Sequence, residues 1–293
     1  MIMSPTPRQI LETLFPPLQL AAAYARHIQS AIAARPEKTN QQNHFGAALS
    51  DADLSIQTLV EVVLLGAFPH IRFYGEEYEK TANTKYFRAI DLGPEGDYLV
   101  TLDPIDGTRF YLDGHPNYQI IVGVLNADDY EAVLAISPAQ DRYYYALRGG
   151  GTYWGTLATG LDQCQRLQIE KPQPVIYLGW GLSDFLLDLG PAYRVVDLKT
   201  AYAADVLAPN LNAILSGELC GAILESGKFI DGAALAFLAQ EVGCLVTTLT
   251  GDPLPSLACD RTYQRPGFIV ATSKAIHKDL LQAVAQTKLV SAT

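Results

Sequence analysis

The sequence predicts an α+β chain in two halves, and three observations carry that expectation. Before residue 152, β-branched and aromatic runs come in close succession, as paired strands do. After it, short apolar runs alternate with helical patterns, which suits an α/β arrangement. At 293 residues the length prior leans to two domains, so a boundary is expected between 1–151 and 152–293. Hydrophobic residues make up 49% and charged residues 18%, enough to bury a large core.

Charge and cysteine usage narrow the class. A net charge of −10 argues against nucleic acid or an anionic membrane surface as partner. An acidic enzyme still handles phosphates where divalent cations reverse the local sign. Cys164, Cys220, Cys244 and Cys259 are scattered without a CxxC pair, so they read as buried thiols in a reducing compartment. No basic-then-apolar leader opens the chain and no apolar run reaches ~18 residues. A cytoplasmic protein is expected.

Taken in order, Thr6 to Ala34 has apolar residues at helical spacing, with Pro16-Pro17 expected to break or kink the run. Arg35 to Gly46, carrying Lys38, reads as a loop. A helix should start near Ser50 and end at Gly66, with Asp51 and Asp53 in its first turn, where carboxylates suit the dipole. Ile71 to Tyr74 is a short strand delivering Gly75-Glu76-Glu77, whose charges read most simply as solvated. Tyr86–Ile90 and Tyr98–Thr101 read as a hairpin around a Pro/Gly turn. Strands are expected at 118–125, 132–136 and 143–147, followed by a Gly149-Gly150-Gly151 turn that lacks the Lys of a Walker A loop.

The second half reads as strands at 175–178, 193–198, 221–224, 245–249 and 267–271. Helices are expected over 201–215, 231–242 and 274–285. Gly179-Trp180-Gly181 before Ser183 is half of a dinucleotide fingerprint, and without its third Gly a nucleotide cofactor is not supported.

The stretch Leu99–Tyr111, LVTLDPIDGTRFY, carries the chemistry. A buried strand through Leu102 runs into Asp103, and Pro104 is expected to force a turn. Asp106-Gly107-Thr108 then offers a flexible glycine and a helix start. Two carboxylates three residues apart, beside a helix N-terminus, suit hard cations together with a phosphate. Asp, Pro and Gly are also ordinary turn residues, so the stretch needs partners elsewhere.

Those partners are Asp53, Gly75-Glu76-Glu77 and the Asp231-Gly-Ala-Ala234 run. With DPIDGT, their order and the 23 residues from Asp53 to Glu76 resemble the inositol monophosphatase family of Mg²⁺-dependent, lithium-sensitive phosphatases. The resemblance implies a layered αβαβα sandwich, with most metal ligands in 1–151 and Asp231 with substrate contacts in 152–293. It implies a first Mg²⁺ on Glu76, Asp103 and the Ile105 carbonyl, a second on Asp103, Asp106 and Asp231, and a looser third near Glu76. Thr108, oriented by Asp53, would bind the attacking water. The N–H groups of Gly107 and Thr108 would face the phosphate beside Asp106, and Glu225 would touch a substrate hydroxyl. Such an enzyme takes a small phosphorylated substrate and, by family habit, is a homodimer.

The chain departs from the family in three places. NHFGAALSD stands where a Lys-containing loop motif is usual, with Lys38 a possible substitute. Ile230 replaces a common Trp, and the stretch between Glu77 and Asp103 is longer than usual. The implied function is hydrolysis of a polyol or sugar phosphate by metal-activated water. A 3'(2'),5'-bisphosphate nucleotidase, suggested by Arg109, or a sugar bisphosphatase is the alternative. A non-catalytic inositol phosphate-binding protein is a further alternative, though it would be expected to lose Thr108 and Asp53. A Ca²⁺-binding EF-hand fails on spacing, because Ile105 stands where an oxygen ligand is needed.

Overall fold

A computed structural model describes residues 4–32, 49–77, 98–179, 182, 189–202, 209, 211–259 and 263–287. The expected Lys38 loop, the strand at 86–90 with its turn, and the Ser183 cap lie outside these residues. The chain divides into two units, 1–148 with 153–165, and 149–152 with 166–293.

In the first unit, helix α1 (Pro7–Ile28) is capped by Thr6 through a reciprocal bond with Gln9. Helix α2 (Asp51–Ala67) starts from Ser50. Strands β1 (Arg72–Gly75), β2 (Leu99–Asp106), β3 (Gln119–Leu125), β4 (Tyr130–Ser137), β5 (Arg142–Leu147), β6 (Gly151–Gly155) and β7 (Gln165–Arg166) form one sheet in sequence order. β1 runs parallel to β2, while β2 to β5 pair antiparallel. Alternate residues put Val100, Leu102, Ile120, Val122, Leu134 and Ile136 in one core with the buried faces of α1 and α2. A short helix, α3 (Thr108–Leu112), leaves the end of β2.

Pro16 and Pro17 do not interrupt α1, contrary to expectation. Each removes an N–H from the helix ladder. Leu11, Leu14 and Phe15 before them and Leu18, Ala21, Ala22 and Ala25 after them are buried in the same core, so packing carries the helix across. Pro104 does not end β2 either, because the strand absorbs it in a bulge.

In the second unit, β8 (Val175–Leu178), β9 (Arg194–Asp197), β10 (Gly221–Leu224), β12 (Leu245–Thr248) and β14 (Phe268–Ala271) form a mixed sheet ordered β12-β14-β10-β8-β9. The two-residue strands β11 (Gly227–Lys228) and β13 (Gln264–Arg265) pair separately. Helix α4 (Leu198–Ala201) is one turn, α5 (Gly232–Glu241) is buried along most of its length, and α6 (Lys274–Ala285) covers the sheet with Leu280 and Val284. The helix expected over 201–215 is not continuous. Tyr202 is extended and Leu211–Ile214 is a 3-10 turn; Pro209 between them lacks the N–H that a continuous helix would use.

The thiol expectation also needs correcting. Cys220 and Cys244 are buried, but Cys259 is exposed and Cys164 is only partly covered. Among the described residues no helix is long and apolar enough to cross a membrane.

If core packing carries α1 across its prolines, Pro16→Ala should restore a helix bond without loss of contacts. Stability in urea is expected to rise by about 1–3 kcal/mol. A fall would show that the prolines themselves shape the helix.

Candidate active site

The site is built where β1 ends alongside β2, which runs on four residues further. β1 pairs with β2 up to Gly75 opposite Leu102. The Glu76 N–H then donates to the Leu102 carbonyl at 3.1 Å, which extends the ladder one step and sets Glu76 beside the Asp103 peptide. Glu76 and Glu77 are both partly buried, not the solvated charges that their loop position suggests.

β2 reaches Asp106 through an irregularity. Asp103 faces Ile121 and Asp106 faces Gln119, so Pro104 and Ile105 together oppose one residue of β3. A bulge suits Pro104, which has no N–H to offer the ladder. It also leaves the Ile105 N–H to bond Asp103 Oδ1 at 3.2 Å. Gly107 follows with φ of +87°, and a Cβ there would lie 2.8 Å from the Asn117 carbonyl oxygen. Only glycine fits both constraints. Thr108 opens α3 directly after it.

Asp53 and Thr108 meet across 55 residues of sequence. Thr108 Oγ1 lies 3.2 Å from Asp53 Oδ1 and 2.9 Å from the Ile105 carbonyl oxygen. The other carboxylate oxygen, Asp53 Oδ2, accepts from the Ser50 N–H at 2.8 Å and from Ser50 Oγ at 2.5 Å, closing a capping box at the start of α2. Asp53 is fully buried and Thr108 nearly so. Capping and contact with Thr108 are therefore simultaneous, one on each oxygen.

Asp106 ends the strand. Gln119, fully buried on β3, donates from Nε2 to Asp106 Oδ2 at 2.6 Å. Burial pushes the Asp106 carboxyl up to about 6; the Gln119 hydrogen bond opposes the rise and the nearby Glu76 charge adds to it. Crowded carboxylates of this kind are relieved by a cation.

The donor chemistry fits Mg²⁺, which takes oxygen ligands and keeps waters. Glu76, Asp103, Asp106 and the Ile105 carbonyl supply hard oxygens from one corner of the first unit. Among the described residues no three Asp, Glu, His or Cys side chains already form a cage. In the second unit Asp231 is the N-cap of α5, its side chain accepting from the Gly232 N–H. Glu225 is exposed just past the end of β10.

Sequence reasoning missed Gln119, Gln57 and Glu61. Gln57 Oε1 accepts from the Glu77 N–H at 2.9 Å and Gln57 Nε2 donates to Glu61 Oε1 at 2.9 Å, with both residues buried on α2. The signal for Gln57 and Glu61 was present: with Asp53 they recur every fourth residue along α2, on one face of the helix. Nothing local marks Gln119, which reaches Asp106 only through strand pairing.

Solved structures share this α+β sandwich fold. The IMPase of Thermotoga maritima superposes with a TM-score of 0.69 at 18% identity, over 96% of this chain and 98% of that one. The sequence profile of the inositol monophosphatase family matches residues 11–187. A probable inositol 1-monophosphatase, ImpA of Mycobacterium tuberculosis, is 29% identical over 213 residues, 70% of this chain and 72% of its own. The putative Nus factor SuhB of Neisseria meningitidis serogroup B is 25% identical over 252 residues, 82% of this chain and 85% of its own. The chain belongs to the inositol monophosphatase family and is a phosphatase, a hydrolase.

Gly107→Ala tests the corner directly. The added methyl must push against the Asn117 carbonyl while the backbone stays left-handed, which costs about 1–2 kcal/mol. Phosphatase activity is expected to fall at least a hundredfold while the far-ultraviolet circular dichroism stays native. Full activity would show that Thr108 does not depend on this turn.

Proposed function

We propose that this phosphatase hydrolyses a phosphate monoester of a small polyol or sugar, inositol monophosphate-like, with Mg²⁺ as cofactor. The observation that carries the reading is the buried Asp53–Thr108 contact beside Asp103 and Asp106. The Thr108 hydroxyl has one proton and two acceptors in reach, Asp53 Oδ1 and the Ile105 carbonyl. While it donates to Asp53, its lone pairs are turned to accept from water, which orients that water for attack. Asp53 keeps Oδ2 tied to Ser50 and takes up the developing positive charge through Oδ1.

Two to three Mg²⁺ ions on Glu76, Asp103, the Ile105 carbonyl, Asp106 and Asp231 would neutralise the phosphate and lower the pKa of water. The Gly107 and Thr108 N–H groups are assigned to phosphate oxygens, beside Asp106. Glu225, exposed and acidic, is assigned to a substrate hydroxyl. Most metal ligands then belong to the N-terminal half, with Asp231 and Glu225 in the C-terminal half. A cytoplasmic homodimer without nucleic-acid or membrane partner completes the reading. A bisphosphate nucleotidase using Arg109, or a sugar bisphosphatase, is the alternative substrate choice. The Neisseria relative's name supports a second reading, in which the chain serves as a Nus factor.

Phosphate release from inositol monophosphates, sugar bisphosphates and 3',5'-adenosine bisphosphate, with Mg²⁺ and with chelator, decides among these. Turnover of a polyol phosphate that chelator abolishes and Li⁺ depresses is the expected result. Undiminished turnover in chelator would refute the metal, and none on any substrate would favour the Nus-factor reading. Asp231→Asn is expected to keep the fold and lose several orders of magnitude in rate. Near-normal turnover would leave Asp231 as a helix cap alone.

Glu225→Gln separates recognition from chemistry. Losing a charged contact to a hydroxyl costs ~1.5–3 kcal/mol, so kcat/KM on the preferred polyol phosphate should fall roughly ten- to a hundredfold. A nitrophenyl phosphate, with no hydroxyls, should be little affected. Equal loss on both would place Glu225 in the catalytic machinery or the fold.

A further inference from the structure

Helix α2 carries a buried polar row, Asp53, Gln57 and Glu61; Asp53 reaches Thr108 and Gln57 reaches the Glu77 N–H just past β1. Only Asp53 has a part in the hydrolysis described above. Gln57 bears on the Glu76 peptide, and Glu61 bears on Gln57. Gln57 is fully buried, and its Nε2 donates to Glu61 Oε1 at 2.9 Å, one turn further along. That bond settles which way the amide points, leaving Oε1 to accept from the Glu77 N–H at 2.9 Å. The amide also lies flat on Gly75, where any Cβ would sit 2.3 Å from Gln57 Cδ. Glu76 is thus held from both sides. Its own N–H is fastened to the Leu102 carbonyl and the next N–H to Gln57.

We propose that Gln57, oriented by Glu61, is a positioning residue that fixes the Glu76 carboxylate for the divalent cation; this rests on the Mg²⁺ reading above. A cation site gains affinity when its ligands are held in place before the ion arrives, and loss of such a support typically costs 10–100-fold in affinity. Gly75 belongs to the same device, since only a residue without a side chain lets the amide approach. α2 then serves both ends of the site from one face: Asp53 holds Thr108, and Gln57 holds the Glu76 peptide.

The test is calorimetric binding of Mn²⁺ to chelator-stripped, folded protein, with no substrate present. Gln57→Met keeps the volume and removes the acceptor, and is expected to raise the Mn²⁺ Kd about tenfold or more. Gln57→Glu should restore affinity to within about threefold. Its Oε atom still accepts from the Glu77 N–H, and a proton shared with Glu61 relieves the like charges. Gly75→Ala, which displaces the amide without touching Gln57 itself, should weaken Mn²⁺ as Gln57→Met does. Wild-type affinity in Gln57→Met would overturn the proposal. So would equal weakening in Gln57→Met and Gln57→Glu, which would mark a packing role. If Gln57→Met fails to fold, Gly75→Ala and Gln57→Glu carry the comparison. Failure of the unaltered protein to bind Mn²⁺ would overturn the Mg²⁺ reading itself.

Discussion

The Asp53 carboxylate is the constraint on which the rest of the site depends. One oxygen closes the cap of α2 through Ser50 and the other reaches Thr108. A buried carboxylate costs several kcal/mol unless it is hydrogen-bonded, and here the helix start supplies two of the bonds. Capping therefore fixes the rotamer that Thr108 needs. The apolar face of α2, through Ile56, Val60 and Leu64, docks the helix on the same core as Val100 and Leu102. Hydrophobic packing sets where the helix begins, and the helix start sets where Thr108 finds its acceptor.

The second constraint is the bulge in β2. A regular strand would alternate Asp103 to one face and continue pairing through Pro104, which cannot donate. The extra residue turns Asp103 back on the Ile105 N–H and brings the Ile105 carbonyl within reach of Thr108. Gly107 then takes the one left-handed step that lets α3 start at once. The same four or five residues thus serve as strand, turn and helix start.

Much of this was legible in the sequence, because the strong signals were local. Apolar periodicity located α2, α6 and β10, and the Ser50 start followed from its side-chain chemistry. DPIDGT stood out because it concentrates carboxylates at a strand end. What failed was a local rule overruled by packing: Pro16-Pro17 sit inside α1, held by the core on both sides. At Pro104 the rule against proline in strands held, but a bulge satisfied it rather than a turn. Gln119 was hidden because strand register, not sequence distance, brings it to Asp106. Gln57 and Glu61 were visible as a polar row, yet the Glu77 N–H that Gln57 accepts from lies just past the end of β1.

Asp53 and Thr108, joined by their buried contact, are expected to act as one unit. A double-mutant cycle on phosphate release, using Asp53→Asn, Thr108→Val and both together, measures their coupling. Because either change breaks the same contact, the double variant is expected to be no slower than the worse single variant. Losses that simply add would contradict the account, since each residue would then work alone.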